Sequence, residues 1–560
     1  MGRKWRKWPQ LLPLPKAVDR PPALVYFPRP LTLPRLSHMP SHRAARASIC
    51  ALAALILIGA AAEVNAQQGQ DQRAAGRKMN LEQLRALPQT NQVVVKFREG
   101  EKVRLDGQRL SGMRSGQASL LTNVLSQAGV SEAAMKPLHV APPQELEREK
   151  DAAQRRSGRK LADLSLYFVI DLPPGASAAE LADNLNSLGF VEFARPALRP
   201  APPPVYVIPK AADPLPEGDA ARRQGGSPNL TTLQAYKGKA PRGIGPIPPV
   251  PGADGDGMTF VDVEYDWALE HEDLALPSDR DVETLTPDPF GGPDHGTAVL
   301  GILSGAPNSF GVTGIVPAAR PFVARASTIQ LGYQPARAIG LAMSVLNPGD
   351  VIVIEQQNWV CGTEDYGPLE YYQDVFDAVS VATAKGIIVV AAAGNGSVDL
   401  DKAACFGAFD RRLRDSQAII VGAGSSSNRS RLDFSSYGAR VDVQGWGENV
   451  ATTGYGDAFN PDNDVRRYYT RSFNGTSSAT PIVAGAVLVI QGVRKACGLP
   501  PTTPLEMRDL LMRTGVTQGE PRSTQIGPLP NIAAALKASV PANCLTPQDR
   551  MQPVSDAAEH

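Results

Sequence analysis

Beyond Gly257, short continuous apolar segments alternate with stretches of helical spacing, and this alternation restricts the fold more than any other feature of the chain. Residues 258–263, 351–354, 387–393 and 418–421 read as strands, and residues 297–303, 336–346, 371–384 and 477–495 as helices. Strands that are apolar throughout, rather than alternately, are buried on both faces. Joined by helices, they predict an α/β fold with a mostly parallel sheet between helical layers. Functional groups in such a sheet gather at the C-terminal ends of its strands.

Upstream the pattern differs. Residues 93–97 and 164–170 read as strands and 178–188 as a helix ending at Gly189, so residues 67–200 form a small α+β module. Residues 144–160 carry both charge signs densely and read as a solvated helix or loop. The proline-rich stretch 201–228, which includes Arg222-Arg223-Gln224-Gly225-Gly226, cannot pack and is open to proteases. The α/β unit is therefore expected over 229–545, followed by a tail at 546–560.

The first 66 residues read as targeting. His42, Arg43 and Arg46 precede an apolar run at 49–62, too short to span a bilayer comfortably, and Val64-Asn65-Ala66 offers small residues for cleavage. Met39 begins the working signal, 39–66; residues 1–38 have no reading of their own. Export to the periplasm or the extracellular space is expected, with no stable membrane span once the signal is removed. Cysteine usage agrees. Cys50 leaves with the signal, and Cys361, Cys405, Cys497 and Cys544 remain, an even number suited to an oxidising compartment. Four cysteines allow three pairings or none. Order along the chain favours Cys361 with Cys405 and Cys497 with Cys544.

Lysine plus arginine (57) nearly balance aspartate plus glutamate (56), so no global field recommends nucleic acid as a partner. No Cys-x-x-Cys spacing is present, and the His38 and His42 pair lies in the export segment, so no zinc site is expected.

The chemistry begins at Asn474-Gly475-Thr476-Ser477-Ser478-Ala479-Thr480-Pro481, which runs into the apolar stretch 482–490. Hydroxyls at the mouth of a buried helix can cap it, or one of them can be a nucleophile beside free N–H groups. A nucleophilic serine needs a base. His38, His42, His139 and His560 lie outside the α/β unit and His271 sits in a charged loop, which leaves His295, within Asp294-His295-Gly296-Thr297. The base needs a carboxylate to hold its tautomer, and Asp262 ends an apolar strand. Asn395, after residues 389–394 and before Gly396, can supply an oxyanion donor.

These four segments, in the order Asp, His, Ser, resemble the signature blocks of the subtilisin-like serine endopeptidases. The resemblance spans roughly residues 228–540. It implies the three-layer fold of that family, with catalytic Asp262, His295 and Ser477 and an oxyanion hole at Asn395. Ser477 rather than Ser478 is the nucleophile by motif register. The substrates implied are polypeptides. The module 67–200 is similar to an inhibitory propeptide, which makes the chain its own partner and predicts self-cleavage between Pro196 and Asn229. Two blocks depart from the family. Val263-Glu264 follows Asp262 where a small residue and glycine are usual, and Glu355-Gln356-Gln357 replaces the Ser-Leu-Gly of the substrate-binding edge. A monomer is expected. No cofactor is required for acyl transfer, and structural calcium is compatible with the loops although no oxygen-rich loop marks its ligands. The competing reading is an exported, non-catalytic binding protein on the same fold.

Overall fold

The computed structural model describes residues 73–107, 109–202, 226–277 and 288–546, all within one unit, Gln67–His560. The expected signal, most of the proline-rich stretch and nearly all of the C-terminal tail lie outside the described residues.

The N-terminal module is a four-stranded antiparallel sheet. β1 (Gln92–Phe97), β2 (Met135–Pro137), β3 (Tyr167–Asp171) and β4 (Val191–Pro196) lie in the order β2-β3-β1-β4. Helices α1 (Ser115–Gln127), α2 (Pro143–Ser157) and α3 (Ala178–Ser187) complete it. α3 starts where Ser177 accepts from the Glu180 N–H, and buries Leu181, Ala182 and Leu185. The charged segment forms α2, a helix that stops at Gly158 in the left-handed region, φ 70°. It is not merely a solvated face. Leu146 and Ala153, seven residues apart on one stripe, are buried in the large core.

The second sheet has six parallel strands. β5 (Thr259–Glu264), β6 (Arg320–Arg325), β7 (Val351–Ile354), β8 (Ile388–Ala392), β9 (Ile419–Gly424) and β10 (Val443–Trp446) lie in the order β10-β9-β8-β7-β5-β6. β6 and β10 are the edges, and they are the strands that the apolar pattern does not reveal. Pro321 interrupts one, while Gln444 and Gly445 dilute the other.

Alternation along the strands sends side chains into two cores. Phe260, Val351, Val353, Ile388, Val390, Ile419 and Val421 pack with α4 (Asp294–Ser304) and α7 (Thr476–Ala496). Val261, Val263, Ile352, Ile354, Val389 and Ile420 pack with α5 (Pro335–Val345) and α6 (Gln373–Ala384). α7 is long and apolar enough to cross a membrane, yet its apolar window is wholly buried here, making it the central core helix. α8 (Pro504–Thr514) and α9 (Ile532–Ser539) join the same core.

The N-terminal sheet sits on α5 and α6, and Val94, Tyr167, Val169 and Phe193 share their core. Buried polar pairs fix the contact: Arg195 with Asp374 at 2.6 Å, Arg73 with Asp377 at 3.0 Å, and the Tyr167 hydroxyl donating to Asp377 at 2.6 Å. Removing one partner of such a pair leaves a buried charge unmatched. Disulfides join Cys361 to Cys405 and Cys497 to Cys544, as chain order suggests. With sequence separations of 44 and 47, each restricts the unfolded chain by an amount worth roughly 4 kcal/mol in the loop-entropy picture.

Candidate active site

The site lies where β5, α4, β8 and α7 meet. Asp262 and Glu264 are two residues apart on β5, so both point to the face covered by α4. The outermost one reaches the histidine. His295, the second residue of α4, holds its Nδ1 2.9 Å from Glu264 Oε1, with both side chains buried. Gln356, just beyond β7, donates its amide to both oxygens of Glu264, at 3.1 and 2.8 Å. Glu264 is thus fixed as an acceptor from two directions.

This corrects the expectation for Asp262. That carboxylate lies about 7 Å deeper along the strand, fully buried, and accepts from Trp267 Nε1 at 2.8 Å. Its other oxygen has no partner. Burial, and secondarily the charge of Glu264, push its pKa well above the ordinary carboxylate range. Asp262 thus faces Trp267 rather than His295, and its burial disfavours the charged form. Gly296 makes room for this arrangement, because a Cβ there would lie 2.6 Å from the Trp267 ring. Glu264 is the last residue of β5, where the C-terminal strand ends carry the site, and the strand runs two residues beyond the end expected at Asp262.

The His295 ring meets Phe473 edge to face at 5.6 Å, and its Nε2 is buried without a hydrogen-bond partner. Phe473 leads directly into the start of α7. Gly475 caps that helix at φ 94°, a conformation that favours glycine. Ser477 is the second helical residue, 1 % exposed. Ser478, in contrast, donates to the Trp446 carbonyl at 2.8 Å and serves the fold. Pro481 lies in the second turn rather than the first, so the Ser477 carbonyl lacks its usual i+4 donor.

Asn395 follows β8. Its Oδ1 accepts from the Thr476 N–H at 2.9 Å and the Thr476 hydroxyl at 3.1 Å, which ties it to the residue before Ser477. This fixes the amide orientation and leaves Nδ2 a buried donor without a protein partner. A donor oriented in advance and otherwise unused is what an oxyanion site requires.

Of the expected substrate edge, Glu355, Gln356 and Gln357 line one cavity with His295, Glu264, Tyr265, Ala201 and Pro202. Their roles separate. Gln356 braces Glu264, while Gln357 accepts from the Asn395 N–H at 2.8 Å and donates to the Pro202 carbonyl at 3.2 Å. Glu355 is buried with neither oxygen paired, and burial, then the nearby Asp262 and Glu264, raise its pKa well above the ordinary value of 4.5. Sequence reading did not find Asn358 and Tyr265, which contact the same segment as Gln357: Asn358 Nδ2 donates to the Arg199 carbonyl at 2.7 Å and the Tyr265 hydroxyl to the Ala201 carbonyl at 2.9 Å. His271 is structural, bonded to the Tyr468 carbonyl at 2.9 Å. Among the described residues, no three His, Cys, Asp or Glu side chains gather in a way that could hold a metal ion.

Glu355 makes stability depend on pH. Its folded-state pKa is raised, so between 4.5 and that raised value the folded chain holds a proton the unfolded chain has lost, and stability falls as pH rises. Glu355→Gln, in a Ser477→Ala background to prevent self-digestion, is expected to flatten the decline of Tm between pH 4 and 8; an unchanged slope would show that Glu355 does not contribute to it.

A model of the subtilase family matches residues 270–527. Subtilisin NAT of Bacillus subtilis subsp. natto is 30% identical over 292 residues, covering 51% of this chain and 68% of that protein. Subtilisin Savinase of Lederbergia lenta is 28% identical over 289 residues, 48% of this chain and 89% of its own length. Among solved structures, fervidolysin of Fervidobacterium pennivorans, described as a keratinolytic enzyme related to subtilisin, superposes with a TM-score of 0.50 at 16% identity, covering 84% of this chain and 66% of that one.

Proposed function

The chain belongs to the subtilase family and is a serine-type endopeptidase; on that premise we propose that Ser477, His295 and Glu264 carry its chemistry, and that it is exported as a zymogen whose own residues 67–200 close the cleft. The observation that carries the assignment is the hydrogen bond from His295 Nδ1 to a doubly braced Glu264, which leaves Nε2 as the open, basic nitrogen.

In this reading the Ser477 hydroxyl attacks the scissile carbonyl carbon while His295 Nε2 takes its proton. Glu264 holds the Nδ1 proton and stabilises the imidazolium without taking that proton itself. The tetrahedral oxyanion receives hydrogen bonds from Asn395 Nδ2 and the Ser477 backbone N–H, the latter aided by the positive end of α7. Collapse transfers the proton from His295 to the leaving amine, and water, deprotonated by the same nitrogen, releases the acyl group.

Two observations support the zymogen. Ala201 and Pro202 line the cavity that contains His295, and the segment 199–202 is held by Asn358, Tyr265 and Gln357. The preceding strand, β4, is anchored to α6 by the buried Arg195–Asp374 pair. Export is supported by the disulfides and by the leader composition of the first 66 residues.

Asn395→Ala is expected to lower kcat by about 10² to 10³ with KM nearly unchanged, a magnitude carried over from the equivalent loss in subtilisin. Full activity in that variant would remove Asn395 from the mechanism. The function as a whole is tested by incubating the processed protein with a peptide mixture and sequencing the products, with Ser477→Ala as control. New peptide termini that are absent from the control are the expected result; identical products from both would contradict the reading.

A further inference from the structure

The segment Leu198-Arg199-Pro200-Ala201-Pro202 is held in an unusual way. Among the described residues, the three hydrogen bonds from the catalytic unit to its backbone are all donated to carbonyl oxygens: Asn358 Nδ2 to Arg199, Tyr265 Oη to Ala201 and Gln357 Nε2 to Pro202. Among the described residues, none of the N–H groups of Leu198, Arg199 and Ala201 donates a hydrogen bond. Pro200 and Pro202 have no N–H to offer. The strand Gln357–Trp359 uses its backbone in a hairpin with Tyr366–Pro368 and meets the segment through side chains instead.

A cleft that laid substrate into a β-ladder would bind both N–H and C=O, and proline at alternate positions would break that ladder. This cleft asks for acceptors only. Of the amide donors that make the contacts, Gln357 ends the block where the chain departs from its family and Asn358 directly follows it. Ala201 is buried beside His295 with its N–H unpaired, a cost that its neighbours Pro200 and Pro202, which have no N–H, do not repeat. Proline also arrives already extended.

We infer that Gln357, Asn358 and Tyr265 form a carbonyl-reading edge that selects proline-rich, extended polypeptide on the same side of the scissile bond as residues 199–202. This deepens the endopeptidase reading and rests on it. The segment is the first such ligand: six of the fourteen residues from Pro196 to Pro209 are proline. No reacting group is added by this edge. It sets which chains lie in register with Ser477.

The test uses processed enzyme made from the full chain. A proteome-derived peptide library is digested, the termini are sequenced, and a fluorophosphonate label of Ser477 is run alongside. The inference predicts proline enriched at one or more positions N-terminal to the cut. It also predicts that a peptide copying residues 194–210 competes about tenfold better than its counterpart with alanine at positions 200 and 202, since each proline restricts the free chain. N-methylation of the Arg199 and Ala201 amides in that peptide is expected to change competition by less than about threefold, where loss of two ladder bonds would cost more than tenfold. Asn358→Ala is expected to narrow the proline preference as well as raise KM, which a purely structural role would not do. Cleavage and labelling without proline enrichment, or loss of competition on N-methylation, would overturn the inference while leaving the endopeptidase intact; absence of both cleavage and label would overturn both.

Discussion

Ser477→Ala abolishes hydrolysis, with kcat expected to fall by about 2 × 10⁶, the loss known from removing the nucleophile of subtilisin. The size follows from the shared labour of the site. Without the hydroxyl, neither the base nor the oxyanion donors have an acyl intermediate to serve, and only binding and polarisation remain. The same substitution is expected to leave residues 67–200 covalently attached in the purified chain, because Ala201, Pro202 and His295 already line one cavity within a single molecule. Intact mass measures this directly. A Ser477→Ala chain that still loses its N-terminal module in pure form would show that another enzyme performs the maturation.

Glu264→Gln is expected to lower kcat by about 10⁴, whereas Asp262→Asn stays within about tenfold. The argument is one of donors and acceptors. Gln356 presents its amide N–H groups to Glu264, so a glutamine at 264 must turn its carbonyl to Gln356 and its own NH₂ to His295. That would place a donor against Nδ1 and force the proton to Nε2, the nitrogen that must accept from Ser477. Folding is barely disturbed and the tautomer is wrong. At Asp262 an asparagine keeps an oxygen for Trp267 Nε1, and burial already disfavours the charge that the substitution removes. Comparing kcat of the two variants decides between the carboxylates. Equal and large losses would indicate that the buried pair acts as one unit, and a larger loss at Asp262 would reverse the assignment.

The parallel sheet, its central strands and the four covering helices were legible because continuous apolar runs and helical spacing leave few alternatives once both faces are buried. β6 and β10 were not, because edge strands tolerate Pro321 and Gly445, which cancel the local signal. His295 could be reached by elimination and Asn395 by its place after a strand. The carboxylate could not be settled from a block alone: Asp262 and Glu264 share a strand face, and only their depth, set by where β5 ends against α4, separates them. The dense charge of α2 hid Leu146 and Ala153, two apolar positions among many polar ones, and with them the seat of the N-terminal module. The contacts of Tyr265 and Asn358 were illegible because they depend on a segment more than sixty residues upstream folding back into the cleft.

The central claim is that His295, oriented by Glu264, activates Ser477. It is tested most directly by the rate at which a fluorophosphonate modifies the processed enzyme, followed by intact mass and peptide mapping in wild type, Glu264→Gln and Asp262→Asn. The account predicts one adduct per chain on Ser477, formed rapidly in wild type and Asp262→Asn and slowed by orders of magnitude in Glu264→Gln. An adduct on another residue, or equally fast labelling in Glu264→Gln, would contradict it.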